Sequence, residues 1–301
     1  MYCSNPTPAT GKSLLRSCHG ILLSVLWLIP AGQLPADEPV PRPRAHAHND
    51  YYHKRPLLDA LSHGFCSVEA DVYLVDGKLL VAHSRFELKP EKTLEKLYLD
   101  PLLKRVRGNT NAGLGGGRVF PGYKPPPFTL LVDFKTNGSE IYKRLQQVLP
   151  HYKEMLTQVE DGQFNQGAVT IVISGDRPRE QIARSTTRYV GIDGRLGDLG
   201  STEPAHLLPL ISDRWTTHFR WRGNGPMPAE EKLKLKKIVD QAHASGRRVR
   251  FWATPENPAL WKELYDAGVD LINTDKLAEL EKFLSGQKPA PKKTLRDLPP
   301  G

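Results

Sequence analysis

The chain has 301 residues, a formal net charge of +9 and 39% hydrophobic residues. These values are typical of a folded globular protein and exclude a disordered chain. No basic run is interleaved with aromatic residues, so nucleic-acid binding is not indicated; the positive charge favours anionic partners and leaves peripheral membrane contact open.

The first 36 residues predict a secretory signal peptide. Lys12 and Arg16 precede the apolar run "GILLSVLWLIPAG", and Ala36 is a small residue at which a signal peptidase would cut. The apolar run is too short to span a bilayer comfortably, although an uncleaved membrane anchor stays open as the alternative. Cleavage would give an exported protein, periplasmic or extracellular, with Cys66 as its one cysteine and no internal disulfide.

Eight candidate strands alternate with helical patterns between residues 44 and 284. The candidate strands are "RAHAHN", "CSVEADVYLV", "FTLLVDFKT", "AVTIVISG", "RYVGIDG", "LLPLISD", "RVRFWATP" and "VDLINTD". The candidate helices are "RPLLDALSHG", "SEIYKRLQQVLPHYKEMLTQV", "PREQIARS", "PAEEKLKLKKIVDQAHASG", "NPALWKELYDAG" and "KLAELEKFLSG". Near-continuous apolar strands that alternate with helices indicate a parallel sheet, and eight such units predict an α/β fold, a single-domain (β/α)8 TIM barrel.

Two segments fall outside this alternation. Residues 84–127, after the second strand, contain the helix candidate "PEKTLEKLYLDPLLKRV" and a Gly- and Pro-rich loop. Their length exceeds that of a simple crossover and predicts an insert or lid within the barrel domain. Residues 285–301 are rich in Pro and Lys and predict a disordered tail.

Polar residues stand two apart on five of the candidate strands, so the members of each pair point to the same face. Charges on strands that are buried on both faces need each other, a metal, or water at the barrel mouth. Most of these pairs lie toward the C-terminal ends of their strands, where (β/α)8 enzymes build their active sites. The pairs are His46 and His48, Glu69 and Asp71, Asp133 and Lys135, Arg250 and Trp252, and Asn273 and Asp275.

Three carboxylates, Glu69, Asp71 and Asp133, are expected to meet at one point of the barrel mouth. Such a cluster disfavours full ionisation unless a cation neutralises it, which predicts one divalent cation, Mg²⁺ or Ca²⁺. Lys135, on the face of Asp133, would suit a phosphate oxygen. Two alternatives stay open: a solvated E-x-D face, and a core ion pair between Asp133 and Lys135.

A hairpin is predicted for "YLVDGKLLVAHS", in which Asp76-Gly77 is a tight-turn signal. The hairpin would bring His83 back beside Glu69 and Asp71. His83 and a histidine of the first strand would then act as acid and base across a phosphodiester. The remaining histidines predicted to be structural are His53, His63, His151, His206, His218 and His243.

These motifs resemble a known family. The segments "AHND", "SVEADVYLVDGKLLVAHS", "LLVDFKT" and "VRFWATPENPALWKELYDAGVDLINTD" are similar to the glycerophosphodiester phosphodiesterase branch of the phospholipase-C-like phosphodiesterases. The opening "HAHNDY" most resembles a subset related to the altered inheritance of mitochondria protein 6 family. The resemblance extends from about Arg44 to Phe283, and its motifs follow in the family's order.

The resemblance assigns roles by position. It implies catalytic roles for His48 and His83, metal binding by Glu69, Asp71 and Asp133, and substrate contacts by Lys135 and Trp252. Two residues depart from the family's pattern: Asn49 replaces the arginine that helps to grip phosphate, and Ser84 replaces an aspartate. Asn49 is therefore expected to contact the substrate in a different way, while His46 supports the site through hydrogen bonds.

The leading hypothesis is an exported, metal-dependent phosphodiesterase that hydrolyses a glycerophosphodiester or a related phospholipid-type phosphodiester by histidine acid-base catalysis. One alternative takes His46 and His48 as the metal pair of a zinc-dependent, amidohydrolase-like hydrolase. Another is a catalytically silent barrel that binds anionic headgroups. The sequence identifies neither the phosphodiester nor the oligomeric state.

Overall fold

A computed structural model describes residues 38–110, 117–122 and 126–287 of the chain. The predicted signal peptide and nearly all of the predicted tail lie outside these residues. No helix in the described part is both long and apolar enough to cross a membrane.

The strands and helices follow the predicted alternation. The strands are β1 (Arg42–Ala47), β2 (Phe65–Val75), β3 (Lys78–Val81), β4 (Phe128–Phe134), β5 (Gln158–Glu160), β6 (Gln163–Asn165), β7 (Val169–Gly175), β8 (Thr187–Arg188), β9 (Val190–Gly194), β10 (Leu210–Arg214), β11 (Arg248–Trp252) and β12 (Ile272–Thr274). The helices are α1 (Leu58–Ser62), α2 (Asp100–Gly108), α3 (Gly138–Val148), α4 (Arg179–Ala183), α5 (Trp215–His218), α6 (Ala229–Ala244), α7 (Pro258–Ala267) and α8 (Leu277–Ser285).

Eight of the strands form a nearly closed parallel barrel, as the sequence predicts. Their order around the barrel is β1, β2, β4, β7, β9, β10, β11 and β12, and β12 pairs with β1. The circle closes between β11 and β12 through an isolated parallel bridge between Arg250 and Leu271. β3 pairs antiparallel with β2 and completes the predicted hairpin.

The barrel interior is apolar in its middle and polar toward the C-terminal ends of the strands. Four buried side chains from β4, β7, β10 and the residue before β12 pack against one another: Leu131, Val172, Leu210 and Leu271. Because side chains alternate along a strand, the residues two positions further along point inward one layer higher. That layer forms the floor of the barrel mouth.

The apolar outer faces of the strands pack against the surrounding helices. Trp215 of α5 stacks on Phe219 at a ring-centroid distance of 4.1 Å, and both meet Phe251 of β11 edge-on. Trp261 and Leu264 of α7 are fully buried in the same way. Burial of such side chains is the main stabilising contribution to a single-domain barrel.

The segment after β3 contributes to this core. Its helix candidate forms a short π-helical turn, Glu95–Leu99, followed by α2, and Tyr98 and Leu102 are fully buried. α2 thus occupies the place of the crossover helix before β4. Residues 111–116 and 123–125 of the predicted insert lie outside the described residues.

One predicted helix is wrong over its second half. The pattern from Ser139 predicts a single long helix, but α3 ends at Val148 and a 3-10 turn, Leu149–Tyr152, follows. Pro150 explains the end, because proline has no N–H to donate within a helix. The chain then forms a three-stranded antiparallel sheet of β6, β5 and β8, which the sequence analysis did not predict.

Candidate active site

Three carboxylates meet at the C-terminal ends of β2 and β4. Asp71 and Asp133 are direct neighbours in the parallel register, and Glu69 lies two residues before Asp71 on the same face. One oxygen from each of the three lies within 4.8 Å of the others. Asp71 Oδ1 is buried without a hydrogen-bond partner among the described residues. We call this group, with His48 at the end of β1, the acidic wall.

Two cations lie against these carboxylates. The Arg250 guanidinium on β11 donates to Glu69 across the barrel, and also to Asn273 Oδ1 at 2.8 Å. The Lys135 ammonium lies 2.6 Å from Asp71 Oδ2 and 3.4 Å from Asp133 Oδ1. Each cation offsets part of the cost of burying the carboxylates together.

The carboxyl groups respond differently to this environment. Burial would raise the pKa of Glu69, but the charge of Arg250 and the hydrogen bond with His46 hold it well below its usual value. Burial raises the pKa of Asp133 to about 6, with Lys135 opposing the shift and Glu69 adding to it. Burial and the charge of Glu69 also raise the pKa of Asp71. The site therefore holds more negative charge than its two cations balance comfortably.

His46 lies one layer below the mouth and is fully buried. Its Nδ1 lies 2.7 Å from Ser67 Oγ and its Nε2 lies 3.3 Å from Glu69 Oε2. Burial and the nearby Arg250 charge lower the pKa of His46 to about 3, so the ring is neutral and links Glu69 to Ser67.

His48 lies at the mouth and pairs with Asp275, which follows β12. Its Nδ1 is 2.8 Å from Asp275 Oδ1. Burial alone would lower the pKa of His48, but the hydrogen bond to Asp275 and the charge of Glu69 raise it above its ordinary value. A carboxylate at Nδ1 fixes the imidazole tautomer and leaves Nε2 for proton transfer.

His83 reaches the acidic wall through the hairpin. Asp76 and Gly77 have φ values of 49° and 73°, the left-handed conformations that a type I′ hairpin turn requires. The turn returns the chain along β2, and His83 Nδ1 lies 3.1 Å from Asp71 Oδ2. The Tyr73 hydroxyl donates to the His83 carbonyl at 3.1 Å and fixes this position. The His83 side chain is 55% exposed and is therefore accessible to a ligand.

Asn49 follows His48 in a left-handed conformation with φ of 47°, which asparagine tolerates better than most residues. Its Oδ1 lies 2.7 Å from the Tyr51 hydroxyl, which also lies 2.7 Å from Asp71 Oδ2. The hydroxyl has one proton, and the carboxylate is the stronger acceptor. Asn49 and Tyr51 thus form a polar link from the first strand to Asp71.

Trp252 and Ser84 lie at the edges of the site. Trp252 ends β11 half-buried, and the Arg214 guanidinium carbon lies 5.7 Å from the centre of its ring. The backbone N–H of Ser84 donates to Glu87 Oε2 at 3.0 Å at the start of a short 3-10 turn. The substrate contacts predicted for Trp252, Lys135 and Asn49 stay predictions.

The predicted residues that come together are the three carboxylates with Lys135, His46, His48, His83 and Asn49. Tyr51 was not predicted, because it lies in a 3-10 turn where no strand alternation marks its direction. Arg250 and Asp275 were recognised as members of same-face pairs, but not as partners of Glu69 and His48. His46 and His48 are absent from the one group of potential metal ligands found in the described residues, which is entirely carboxylate.

The chain is similar to two known families, to curated relatives and to a solved structure. A model of the AIM6-like phosphodiesterase domain matches residues 37–193, and a model of the glycerophosphoryl diester phosphodiesterase family matches residues 248–278. Altered inheritance of mitochondria protein 6 from Eremothecium gossypii is 31% identical over 83% of this chain and 72% of its own length. A homologue from Arthroderma benhamiae is 29% identical over 78% of this chain and 82% of its own. A glycerophosphodiester phosphodiesterase structure from Parabacteroides distasonis covers 80% of this chain and 96% of its own, with a TM-score of 0.48 and 17% identity.

Proposed function

This chain belongs to the AIM6-like phosphodiesterase family, and from that premise we propose that it hydrolyses a phosphodiester with the help of one divalent cation. The observation that carries the proposal is the convergence of Glu69, Asp71 and Asp133 within 4.8 Å, with Asp71 Oδ1 buried and unpartnered among the described residues. The two histidines of the mouth, His48 and His83, directly follow β1 and closely follow β3, and both of these strands pair with β2.

The donor set fits a hard cation. Carboxylate oxygens are the preferred ligands of Mg²⁺ and Ca²⁺, whereas zinc sites use histidine and cysteine more often. The raised pKa of Asp133 marks a shortage of positive charge at this point. Glu69, Asp71 and Asp133 would hold the ion, which would supply Lewis-acid polarisation of a phosphoryl oxygen.

We assign proton transfer to the two histidines of the mouth. His48, oriented by Asp275 through Nδ1, would present Nε2 to the nucleophile or to the leaving oxygen. His83, exposed and hydrogen-bonded through Nδ1 to Asp71, would take the complementary role. A diester bound between them would have one histidine near the attacking oxygen and the other near the departing alkoxide.

Lys135 and Tyr51 would position the reacting groups. The Lys135 ammonium is 22% exposed and lies at the boundary between the carboxylates and solvent, where a phosphate oxygen would enter. The Tyr51 hydroxyl orients Asp71 Oδ2, leaving Asp71 Oδ1 for the ion. These contacts would be in place before the substrate binds, which lowers the cost of reaching the reactive geometry.

A glycerophosphodiester or a phospholipid-type diester is the proposed substrate class, in keeping with the family match over residues 248–278. We also propose export through the N-terminal signal peptide. N-terminal sequencing of protein recovered outside the cytoplasm should find a chain that begins directly after Ala36. Recovery of the chain in the cytoplasm alone would overturn the export proposal, and an intact N-terminus on exported protein would favour the uncleaved anchor.

A catalytically silent barrel is the second candidate, favoured by the two cations already paired with the carboxylates. Arg250 pairs with Glu69 and Lys135 pairs with Asp71, so two of the three carboxylates have a cation partner without an added ion. Such a barrel would bind anionic headgroups and release them unchanged.

A hydrolysis assay separates the two candidates. EDTA-treated protein would be tested on glycerophosphocholine, glycerophosphoinositol and lysophospholipids, with and without added Mg²⁺ or Ca²⁺. The expected result is cation-dependent hydrolysis that falls about 10²- to 10⁴-fold in His48→Ala and in His83→Ala. His151→Ala, on the exposed turn after α3, is the matched control and should keep full activity. Full hydrolysis by either mouth variant would refute the mechanism, and binding without any turnover would favour the silent barrel.

A further inference from the structure

The side of the mouth that faces the acidic wall is basic. Around the eight-stranded circle, β9 lies opposite β1, and β10 lies opposite β2. Asp193 on β9 and Ser212 on β10 point inward, because the Ser212 hydroxyl donates to Asp193 Oδ2 at 2.6 Å one layer above the apolar interior cluster. Two residues further along, Arg195 and Arg214 share that inward face.

Arg195 is held in this position by the floor of the mouth. Its Nη1 donates to Asp193 Oδ2 at 2.8 Å and to the Gly194 carbonyl at 3.0 Å. All its side-chain hydrogen bonds within the described residues come from Nη1. The N–H groups of Nε and Nη2 are therefore available to donate to a ligand. The side chain is 29% exposed, which allows a ligand to reach it.

Arg177, after β7, reaches the same place. Its Nη1 donates to the backbone carbonyl of Asp193, and the side chain is half-buried. Burial lowers the pKa of Arg177, and the neighbouring Arg195 lowers it further. We call Arg177, Arg195 and Arg214 the arginine wall.

The nearby carboxylates are bound to other groups. Asp198 accepts two hydrogen bonds from Arg179, each 2.9 Å long, and another from the Arg195 backbone N–H. Asp213 accepts from the backbone N–H of Leu196 and pairs with His218 at 3.1 Å. In the described part of the chain, the guanidinium groups of Arg177 and Arg214 therefore have no carboxylate partner.

We propose that the arginine wall binds a second anionic group of the substrate while the scissile phosphodiester lies at the acidic wall. The proposal rests on the proposed function and narrows it to diesters that carry a further phosphate or carboxylate. Arginine suits this task because its planar guanidinium donates two parallel hydrogen bonds to such a group. Both Arg195 and Arg214 lie in residues 194–247, which neither family model matches.

Equilibrium binding to EDTA-treated protein tests the proposal without turnover. The probes are glycerophosphoinositol and glycerophosphoinositol 4-phosphate, which differ in one phosphate group, measured by calorimetry. The wild type should bind the phosphorylated diester at least about tenfold more tightly, a difference of about 1.4 kcal/mol. The R195Q/R214Q double variant, which keeps only Arg177 of the arginine wall, should lose most of this preference.

Two further variants keep the test decisive. Because Arg195 contacts the buried Asp193, the double variant risks misfolding, and Arg214→Gln alone, at an exposed side chain, should still reduce the preference by at least about threefold. Arg184→Gln removes the same charge directly after α4, where the side chain is 80% exposed, and should leave the preference unchanged. Equal binding of the two diesters by the wild type would overturn the proposal, as would an unchanged preference in folded Arg214→Gln.

The experiments distinguish a failure of the anionic-subsite proposal from a failure of the proposed phosphodiesterase function. An arginine-dependent preference without hydrolysis of any diester would refute the phosphodiesterase mechanism and support the anionic subsite. Hydrolysis without such a preference would support the phosphodiesterase mechanism and refute the anionic subsite. Vesicles of phosphatidylcholine that contain phosphatidylinositol 4-phosphate test whether the anionic group belongs to a lipid or to a soluble diester. Arginine-dependent binding to these vesicles indicates the lipid form, and binding to the soluble diester alone indicates the free headgroup.

Discussion

The two walls of the barrel mouth differ in how their charges are balanced. On the acidic wall, Glu69 and Asp71 each have a cation, and Asp133 shares Lys135 at 3.4 Å. On the arginine wall, Arg177 and Arg214 have no carboxylate partner in the described residues. A ligand with one phosphate at each wall would meet fixed positive charge at one end and catalytic groups at the other.

This difference shows how one mouth can separate chemistry from selection. Groups that act on a phosphodiester must be fixed by hydrogen bonds, as His46, Tyr51 and Asp275 fix the groups of the acidic wall. Groups that select an anionic substituent of the substrate can remain partly exposed, since they only need to offer hydrogen-bond donors to it. Substitutions on the acidic wall should therefore change turnover, whereas those on the arginine wall should change which diester binds.

The largest expected effect is that of Asp71→Asn. The substitution keeps the shape of the side chain but removes the charge at the centre of the acidic wall. We expect kcat/KM for a hydrolysed diester to fall about 10³-fold or more, equivalent to about 4 kcal/mol, together with the stimulation by Mg²⁺. Steady-state kinetics across a Mg²⁺ titration would measure both.

A matched control for this change is Asp266→Asn, at an exposed ion pair with Lys262 on α7. That variant should retain full activity, because surface ion pairs contribute little. A folded Asp71→Asn protein with wild-type activity would show that the acidic wall is not the catalytic side.

Arg250→Met tests the connection between the two sides of the barrel. Arg250 extends from β11 to Glu69, and both side chains are almost fully buried. Removal of the guanidinium leaves a buried carboxylate without its cation, which costs about 3 kcal/mol in the free energy of unfolding. Urea denaturation in EDTA would measure the loss, and saturating Mg²⁺ should restore part of it by binding the folded state. If Arg250→Met lowers the free energy of unfolding no more than the surface substitution Arg184→Gln does, the buried Glu69 carboxylate does not depend on Arg250 for its charge balance.

Asp50, in the turn after β1, carries a buried carboxyl group that has no cation partner among the described residues. Burial raises its pKa to about 7, although the N–H donated by Leu57 opposes the shift. In the unfolded chain its pKa is about 3.9. The stabilising contribution of the neutral form is therefore complete below about pH 4 and is lost as the pH rises through about 7.

Asp50→Asn removes this pH dependence but keeps an acceptor for the Leu57 N–H. We expect the variant to be more stable than the wild type by about 2 kcal/mol at pH 8, with a much smaller difference at pH 4. Urea denaturation at a series of pH values gives the two curves. Parallel curves over this range would exclude Asp50 as the titrating group.

Much of the fold could be predicted because strands and helices have local periods. The eight barrel strands, the β2–β3 hairpin and most helices follow from alternation, capping and the Asp76-Gly77 turn. The sheet of β5, β6 and β8 could not be predicted, because its strands are two or three residues long and Gln163–Asn165 is exposed throughout. So short a segment carries no readable period.

The acidic wall was also visible in the sequence, because its carboxylates occupy same-face positions on two neighbouring strands. The arginine wall was not, since Arg177 and Arg195 lie beyond the strand ends, where alternation no longer gives the side-chain direction. The contact between Arg250 and Glu69 was missed for a different reason. It joins residues 181 apart in the chain and depends on the closure of the barrel, which no local pattern contains.

The smallest expected effect is that of Asp275→Asn, which tests how His48 is oriented. The hydrogen bond that His48 Nδ1 donates to Asp275 raises the pKa of His48, so its weakening should lower that pKa. The limb of the pH–kcat/KM profile that reports His48 should then move to lower pH, whether His48 acts as acid or base. We expect an accompanying fall of about tenfold in kcat/KM, since the ring loses its preferred tautomer. If only the rate falls and the limb stays in place, Asp275 positions the loop after β12 and does not tune His48.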